Sequence, residues 1–411
     1  MVKLPLLGLL LVVANLITGC VMTKSPTPTQ LENLKLTYIS IDNIKRNKLK
    51  IVQGSKLQTK ALNEILNQAD KALVRKFNPV TNKPKPGPSG DLHDYMSIGP
   101  YWWPDPSKAD GLPWIRKDGE VNPLTRGEHT DQQRAQNFLR DLNLLNLAYL
   151  YTRKTKYLDH AKQLVNLWLI DPKTKMNPNL NYAQGVPGSS TGRPFGIIEW
   201  EKISHLVTSI ELINQSLLAE NQFTLQVQLW LSEYLNWLQT SKIGQEEAAT
   251  KNNHATWYDY QVIGLMIHLA QIEQAKEYVE SVKNRRIDSQ IKPDGSQPLE
   301  LARTKSVNYT SMNLMAFLNL TNLASSLGID LANYQGSEGQ SIKKAVEYLI
   351  PYVLGEKQWQ YQQLGNLQAA YEKKAIPSLY LANSIYGDSL QLGALLEKNI
   401  KHVKPEYILK Y

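Results

Sequence analysis

Phe138, Leu142, Leu145 and Tyr149 stand at i, i+4, i+7 and i+11, the spacing of one face of an α-helix. Tyr157, Ala161, Leu164 and Trp168 repeat it after a short break at residues 153–156, and Asp171-Pro172 stops that run. The pattern returns in Ile203, Leu206, Ile210 and Ile213, then in Val227, Leu231, Tyr234 and Leu238. Another helix starts near His254 and runs to about Leu269, and further ones are expected at about 57–77, 273–283, 309–327, 341–354, 364–382 and 390–400. No alternating strand pattern of useful length interrupts them. Roughly ten to twelve helices of about 12–20 residues, joined alternately by short turns and long loops, read as antiparallel hairpins side by side. The expected fold is all-α: an α/α toroid, or incomplete α/α barrel, with the long loops gathered into a cleft at one end. No linker divides residues 32–411, so a single domain is expected there.

Two irregular segments are the candidates for that cleft. Residues 79–131 are dense in Pro and Gly, and a segment this long without periodicity is functional or disordered. Tyr101, Trp102 and Trp103 lie between prolines inside it, which argues for order, because three consecutive aromatics are costly to leave in water. Residues 172–195 form the second segment and offer Gln184 and Arg193 as weaker candidates for the opposite wall. Lys292-Pro293-Asp294-Gly295-Ser296 is a turn. The chain carries 46 basic and 37 acidic residues, a formal charge of +9, which favours an anionic partner. No basic run with interleaved aromatics suggests a nucleic-acid arm. Nine Trp and 21 Tyr against five Phe suit sugar rings, since each offers a flat apolar face and a polar edge; helix packing would also use them.

The N-terminus reads as a processing signal. Lys3 is followed by an apolar stretch from Leu4 to Ile17, too short to span a bilayer, which ends in Leu16-Ile17-Thr18-Gly19-Cys20. This resembles a bacterial lipoprotein signal, with residues 1–20 as the leader, Cys20 as the lipidated residue and residues 21–31 as a flexible tether. The expected location is the bacterial cell envelope, periplasmic or outer-membrane facing, with membrane contact only through the lipid anchor. Cys20 is the sole cysteine, so a disulfide within the chain and a cysteine metal cluster are excluded.

The chemistry is expected between two short stretches. Lys251 to Tyr258 holds Asn253, His254 and Tyr258 near a helix start, and about fifty residues on come Glu300, Arg303 and Tyr309. No two of the seven histidines are at the i, i+4 spacing of a helical metal site, and nucleophile-elbow, phosphate-loop and dinucleotide motifs are missing, so no metal or cofactor is expected. These residues suit β-elimination on a uronic acid polymer. That reaction removes the C5 proton, so negative charge builds on the C6 carboxylate and must be met by amide, imidazole or guanidinium donors. Asn253, His254 and Arg303 are those three types. Tyr309 can protonate the leaving O4, and as tyrosinate could take the C5 proton too. Arg303 and Tyr309, six apart, cannot share one face of a continuous helix, so a break is expected between them, with Ser306 or Asn308 capping a new helix.

Asn253-His254 with Trp257, followed by Arg303 and Tyr309, resembles the alginate lyase superfamily. So do Asp94-Tyr-Met-Ser-Ile-Gly-Pro-Tyr-Trp-Trp-Pro, Tyr182-Ala-Gln-Gly-Val-Pro-Gly and Gly196-Ile-Ile-Glu-Trp200. The likeness spans roughly residues 90–330 and lies in the order of the motifs. It implies an α/α-toroid lyase acting on alginate or glucuronan, with Tyr309 as acid and often base, and Asn253, His254 and Arg303 as carboxylate-neutralising or proton-handling partners. Arg303 and Tyr309 stand slightly closer together than in better-known members. Tyr101, Trp102, Trp103, Gln184, Arg193 and Tyr258 are then candidate substrate contacts. A glycoside hydrolase on this scaffold is the alternative enzyme; it needs two carboxyls about 5–10 Å apart, and Asp94, Asp105, Glu199 and Glu201 are available. A non-catalytic surface glycan-binding lipoprotein is the alternative without chemistry.

Overall fold

The structure is a computed structural model that describes residues 31–216 and 218–411. The leader, Cys20 and most of the tether lie outside the described residues. Ser40 caps α1 (Ile41–Val52), and α2 (Lys56–Leu73) follows. The first irregular segment contains β1 (Met96–Ile98), β2 (Trp102–Trp103) and β3 (Ile115–Arg116). Then come α3 (Gln132–Thr152) and α4 (Thr155–Val165), which widens into a π turn at Asn166–Ile170. The second irregular segment carries β4 (Tyr182–Gly185). Next are α5 (Ile203–Asn214), α6 (Asn221–Thr240), α7 (Lys242–Ala248), α8 (Asn253–His268) and α9 (Ile272–Val282). α10 (Pro298–Leu301) is one turn, α11 (Ser306–Ser326) is long, and α12 (Ile342–Leu354) ends at Gly355 in the left-handed region. α13 (Leu367–Ala370), α14 (Ile376–Tyr386), α15 (Gly393–Asn399) and α16 (Pro405–Lys410) complete the chain.

Two kinds of helix build a toroid. Every residue of α8 from Ala255 to Met266 is buried, Thr256, Asp259 and Gln261 included, so all sides of this helix face protein. α9 buries only Ala275, Val279 and Val282, a single stripe. The inner helices pack in succession: α3 on α5, α5 on α8, α8 on α11, α11 on α14, and α14 on α16, which returns to α2 and α3. One continuous apolar core runs from Leu34 to Leu409. Much of the aromatic content serves that core rather than sugar rings. Phe138 stacks on Trp168 at 4.5 Å, and Trp200, Trp230 and Tyr234 stack in a row.

Several boundaries differ from the expectation. α1 was not foreseen, because its sequence is largely charged and it buries only Ile44 and Asn47. Packing on α2 and α16 holds it, with the Asn47 amide donating to the Leu409 carbonyl at 3.2 Å. The helix expected at 364–382 is split by a π turn at Tyr371–Ala375. Short strands also occur. β1 pairs parallel with β4, Met96 opposite Tyr182, and β2 pairs antiparallel with β3, Trp102 opposite Arg116. The β1–β4 pair fastens the two irregular segments to each other, the β2–β3 pair folds the first one on itself, and a buried Lys83–Asp131 ion pair at 3.0 Å anchors that segment to α3.

Candidate active site

The first turn of α8 forms one wall. Asn252 caps the helix by accepting from the His254 N–H at 3.2 Å. The buried Glu300 carboxylate accepts from the Asn253 backbone N–H at 2.6 Å and from its Nδ2 at 2.8 and 2.9 Å. A carboxylate here also meets the positive end of the helix. The Asn253 Oδ1 is buried with no partner among the described residues. Glu247 fixes the imidazole: its Oε1 lies 2.7 Å from His254 Nδ1. A carboxylate oxygen accepts, so the ring proton sits on Nδ1 and Nε2 is left for the cleft. Glu247 is brought there by α7, which turns back tightly under α6. A Cβ at Gly244 would run into the Leu238 carbonyl, so only glycine permits that approach. Arg286 braces the junction, donating to Asp259 of α8 at 2.7 Å and to the Ala248 carbonyl at the end of α7 at 2.8 Å.

The second wall is Tyr309 in the first turn of α11. The expected break exists, but neither Ser306 nor Asn308 caps the helix. The cap comes from 56 residues downstream: the Gln362 carbonyl takes the Ser306 N–H at 3.2 Å, and Gln363 Oε1 takes the Val307 N–H at 3.0 Å. The Tyr309 hydroxyl donates to the Tyr101 hydroxyl at 2.7 Å. The Arg303 guanidinium lies over the Tyr309 ring, 3.7 Å from its centroid. Burial pushes the phenol far above the ordinary tyrosine value, the Tyr101 contact adds to this, and the Arg303 charge opposes it. Arg303 is itself gripped by Asp118, with Nε at 3.1 Å and Nη2 at 2.7 Å. Burial disfavours the Asp118 carboxylate, but Arg303, Thr304 and Arg116 outweigh it and hold the group well below the usual carboxylate range.

Arg193 closes the circle. Its guanidinium lies 5.2 Å from the Trp102 ring and 5.4 Å from Phe195. Gln184, at φ +49°, orients it through its carbonyl at 2.8 Å and Oε1 at 3.2 Å. No carboxylate lies within ion-pairing distance of Arg193 among the described residues, and burial lowers it to about 10. Phe195 meets the His254 ring edge-on at 4.9 Å. The contacts form a loop: His254, Phe195, Arg193, Trp102, Tyr101, Tyr309, Arg303, Glu300, Asn253. Such a ring of phenol, imidazole, amide and guanidinium groups fits an anionic sugar.

The family profile for alginate lyase matches residues 79–359. The chain belongs to the alginate lyase family. It is thus a polysaccharide lyase, cutting a uronic acid polymer by β-elimination. The crystal structure of an alginate lyase from Bacteroides ovatus is 34% identical, with a TM-score of 0.85, covering 92% of this chain and 99% of that one. Alginate lyase A1-III from Sphingomonas species A1 is 17% identical, with a TM-score of 0.52, covering 93% of this chain and 98% of that one. A variant of A1-III complexed with tetrasaccharide matches likewise, at 17% identity and a TM-score of 0.53, with the same coverage. These two distant likenesses speak for the fold alone. No curated protein matches the chain significantly.

Within this alginate lyase fold, the ring joins Asn253, His254, Arg303, Tyr309, Tyr101, Trp102, Gln184 and Arg193. Two candidates stand apart. Tyr258 is a correction: it faces the core from α8 and gives its hydroxyl to the Leu238 carbonyl at 2.8 Å. Trp103 is the other. Neighbours on a strand point to opposite faces, so it lies away from Trp102, under Lys117, with its indole N–H donated to the Glu120 carbonyl at 3.1 Å. Three of the four carboxyls of the hydrolase alternative are taken up by neighbouring protein groups. Glu199 is buried and accepts from Tyr95 and Ser97, Asp94 accepts from Asn177, and Asp105 folds onto Ser107. Glu247, Asp118 and the pairing of Glu300 with Asn253 were missed from sequence. Glu247 sits seven residues before His254, and only the tight α6–α7 turn at Gly244 hints that it folds back.

Proposed function

We propose that Tyr309 protonates the leaving O4 during β-elimination and that Asn253 and His254 meet the charge on the C6 carboxylate from the facing wall. The observation that carries this is the Tyr309 hydroxyl, bonded to Tyr101 with the Arg303 charge on its ring, opposite an imidazole held by Glu247. At rest Tyr309 is neutral, as an acid must be. Arg303 acts through its charge on the phenol rather than as a carboxylate ligand, because Asp118 already takes two of its N–H groups. When O4 leaves with the proton, the positive guanidinium offsets the phenolate that remains. Arg193 is the guanidinium left to pair with a substrate carboxylate.

The sugar decides the base. In β-linked mannuronate or glucuronate the C5 proton and O4 lie on one side of the ring, so Tyr309 serves both steps only once it has lost its resting proton to solvent, a loss that the Arg303 charge favours and burial opposes. In guluronate they lie on opposite sides, and the unprotonated Nε2 of His254 takes the C5 proton. As a carboxylate donor His254 must instead present an N–H from Nε2, with Glu247 holding Nδ1 as before. An absorbance assay for the unsaturated product on polymannuronate, polyguluronate and glucuronan side by side tests the reading. Activity on one of them that disappears in Tyr309→Phe supports it; activity that survives the change overturns it.

The lipoprotein-like leader supports an enzyme tethered at the cell envelope through Cys20. Cys20→Ala should move the protein from the membrane to the soluble fraction; an unchanged distribution would refute the anchor.

A further inference from the structure

The strands behind Arg193 slip out of register at one point. Met96 of β1 lies opposite Tyr182 of β4 and Ile98 lies opposite Gly185, so three steps along β4 match two along β1. That count is a β-bulge, a feature that re-aims a side chain beside a site. Gln184 occupies it at φ +49°, in the left-handed region that a residue with a side chain enters at a cost. The Gly99 N–H donates to the Gly185 carbonyl at 3.0 Å and closes the bulge. Arg193 is tied to it three times. Its backbone N–H donates to the Ala183 carbonyl at 3.0 Å, Nε to the Gln184 carbonyl at 2.8 Å and Nη2 to Gln184 Oε1 at 3.2 Å. A guanidinium held by both the backbone and the side chain of one residue must follow that residue when its peptide turns.

A buried acid keeps that peptide in place. Residues Pro194–Trp200 form a 3-10 helix seated so close to β4 that a Cβ at Gly196 would run into Ala183. This helix brings Glu199 against β1. Glu199 Oε2 accepts from the Ser97 hydroxyl at 2.6 Å and from the Tyr95 hydroxyl at 2.7 Å. With two donors on Oε2, any carboxyl proton would be on Oε1, so the one Ser97 proton is committed to Glu199 in either charge state. Ser97 Oγ therefore turns a lone pair to Gln184, and it takes the Gln184 N–H at 2.8 Å. Ser97, Gln184 and Glu199 are all buried, so a bond lost from this chain leaves a partner unmet. Glu199 Oε1 is buried too, so the acid acts on a sugar only through its neighbours.

We propose that Glu199 and Ser97 are positioning residues for the lyase reaction: through the Gln184 N–H they hold the bulge that aims the Arg193 guanidinium at a carboxylate of the polymer. The proposal rests on the reading of Arg193 as the guanidinium left to pair with that carboxylate. Ser97→Ala removes the link and keeps the strand. On the polyuronate that the wild type cuts, KM should rise about tenfold with kcat within about twofold, the mark of lost binding rather than lost chemistry. Ser97→Thr keeps the hydroxyl and should bring KM back. The deciding measurement is a double-variant cycle. If Ser97 acts through Arg193, Ser97→Ala/Arg193→Ala should bind the polymer no more weakly than Arg193→Ala alone. Glu199→Leu takes the place of Ser97→Ala in the same cycle should the latter not fold. A rise in KM that Ser97→Ala still adds in the Arg193→Ala background, an unchanged KM in Ser97→Ala, or a fall in kcat in place of the rise would overturn the proposal. Arg193→Ala by itself tests the reading underneath. An unchanged KM there refutes the carboxylate role of Arg193, whereas a raised KM there beside an unchanged one in Ser97→Ala refutes the positioning alone.

Discussion

Asn253 and His254 reach the cleft from the end of a helix whose next twelve residues, Ala255 to Met266, are all buried. Tyr101 and Asp118 reach it from the first irregular segment, where β2 and β3 pair over two residues each. The groups that hold each wall differ in the same way. On the helix side they are the buried acids Glu247 and Glu300, each hydrogen-bonded to the residue it positions. Deep burial strengthens those bonds and makes losing one partner costly, since the other is left unsatisfied. On the loop side the clasp is Arg303–Asp118, whose side chains are 17% and 20% exposed. A bidentate pair that water still reaches is worth less. The helix wall is thus preorganised by the core. The loop wall is placed by one clasp and the Tyr309–Tyr101 hydrogen bond.

The largest effect should come where the walls meet. Tyr309→Phe keeps the ring under Arg303 and removes only the hydroxyl, so turnover should fall on the order of 10³-fold with polymer binding largely kept. Product absorbance and calorimetry separate the two. A variant that stays active would assign the proton transfer elsewhere, with Tyr101 the next phenol to remove. Glu247→Gln tests the helix wall. The amide can present its N–H to Nδ1 and leave the imidazole in the wrong tautomer, so kcat should drop about 10²-fold with KM little changed. A rise in KM without loss of kcat would show that Glu247 only packs.

The same contrast explains what the residues foretold. The helical spacing of Phe138 to Tyr149 and Ile203 to Ile213 revealed the scaffold, because inner helices must repeat at the helical period whatever they pack on. Asn253, His254 and Tyr309 were readable because they sit at helix starts of the right chemical type. Glu247 and Asp118 were not. Each acts on a residue far along the chain or around a tight turn, and a lone acid carries no periodic mark. Tyr258 misled because nearness to His254 in sequence says nothing of which side of α8 a ring takes. Tyr101 was read as a stacking ring, and its hydroxyl turned out to be the partner of Tyr309. The cap of α11 came from Gln362 and Gln363, a contact that local sequence cannot encode.

A smaller effect should be confined to the loop wall. A Cβ at Gly99 would stand 2.6 Å from Arg193 Nη2 and 2.7 Å from Trp102 Cδ1. Gly99→Ala must therefore push the guanidinium off the indole. Losing one partly exposed cation–π contact predicts a rise in KM of about fivefold with little change in kcat. Steady-state kinetics on the polymer read this directly. A fall in kcat of the same size would mean that Arg193 touches the reacting sugar itself.

The walls should also answer acid in opposite directions. The folded-state value of Asp118 is depressed, so its contribution to stability is present above the unfolded carboxylate value and is lost as pH falls through the folded one. Asp118→Asn should cost about 1 kcal/mol near neutral pH, reduced by the solvent that reaches the pair. That gap to the wild type should begin to narrow below about pH 4. Burial raises the folded-state value of Glu300, against the pull of its Asn253 hydrogen bonds. There the folded state binds the proton more tightly than the unfolded chain, so acid adds to stability as pH falls through the raised value. Glu300→Gln forfeits that gain, and its gap to the wild type should shift in the wild type's favour as pH falls through the raised value towards about 4, above the range where Asp118→Asn converges on it. Melting temperatures of the three proteins across the acid range measure both slopes. Parallel curves would mean that the two acids share one environment, and the distinction between a core-held wall and a clasped one would fall with them.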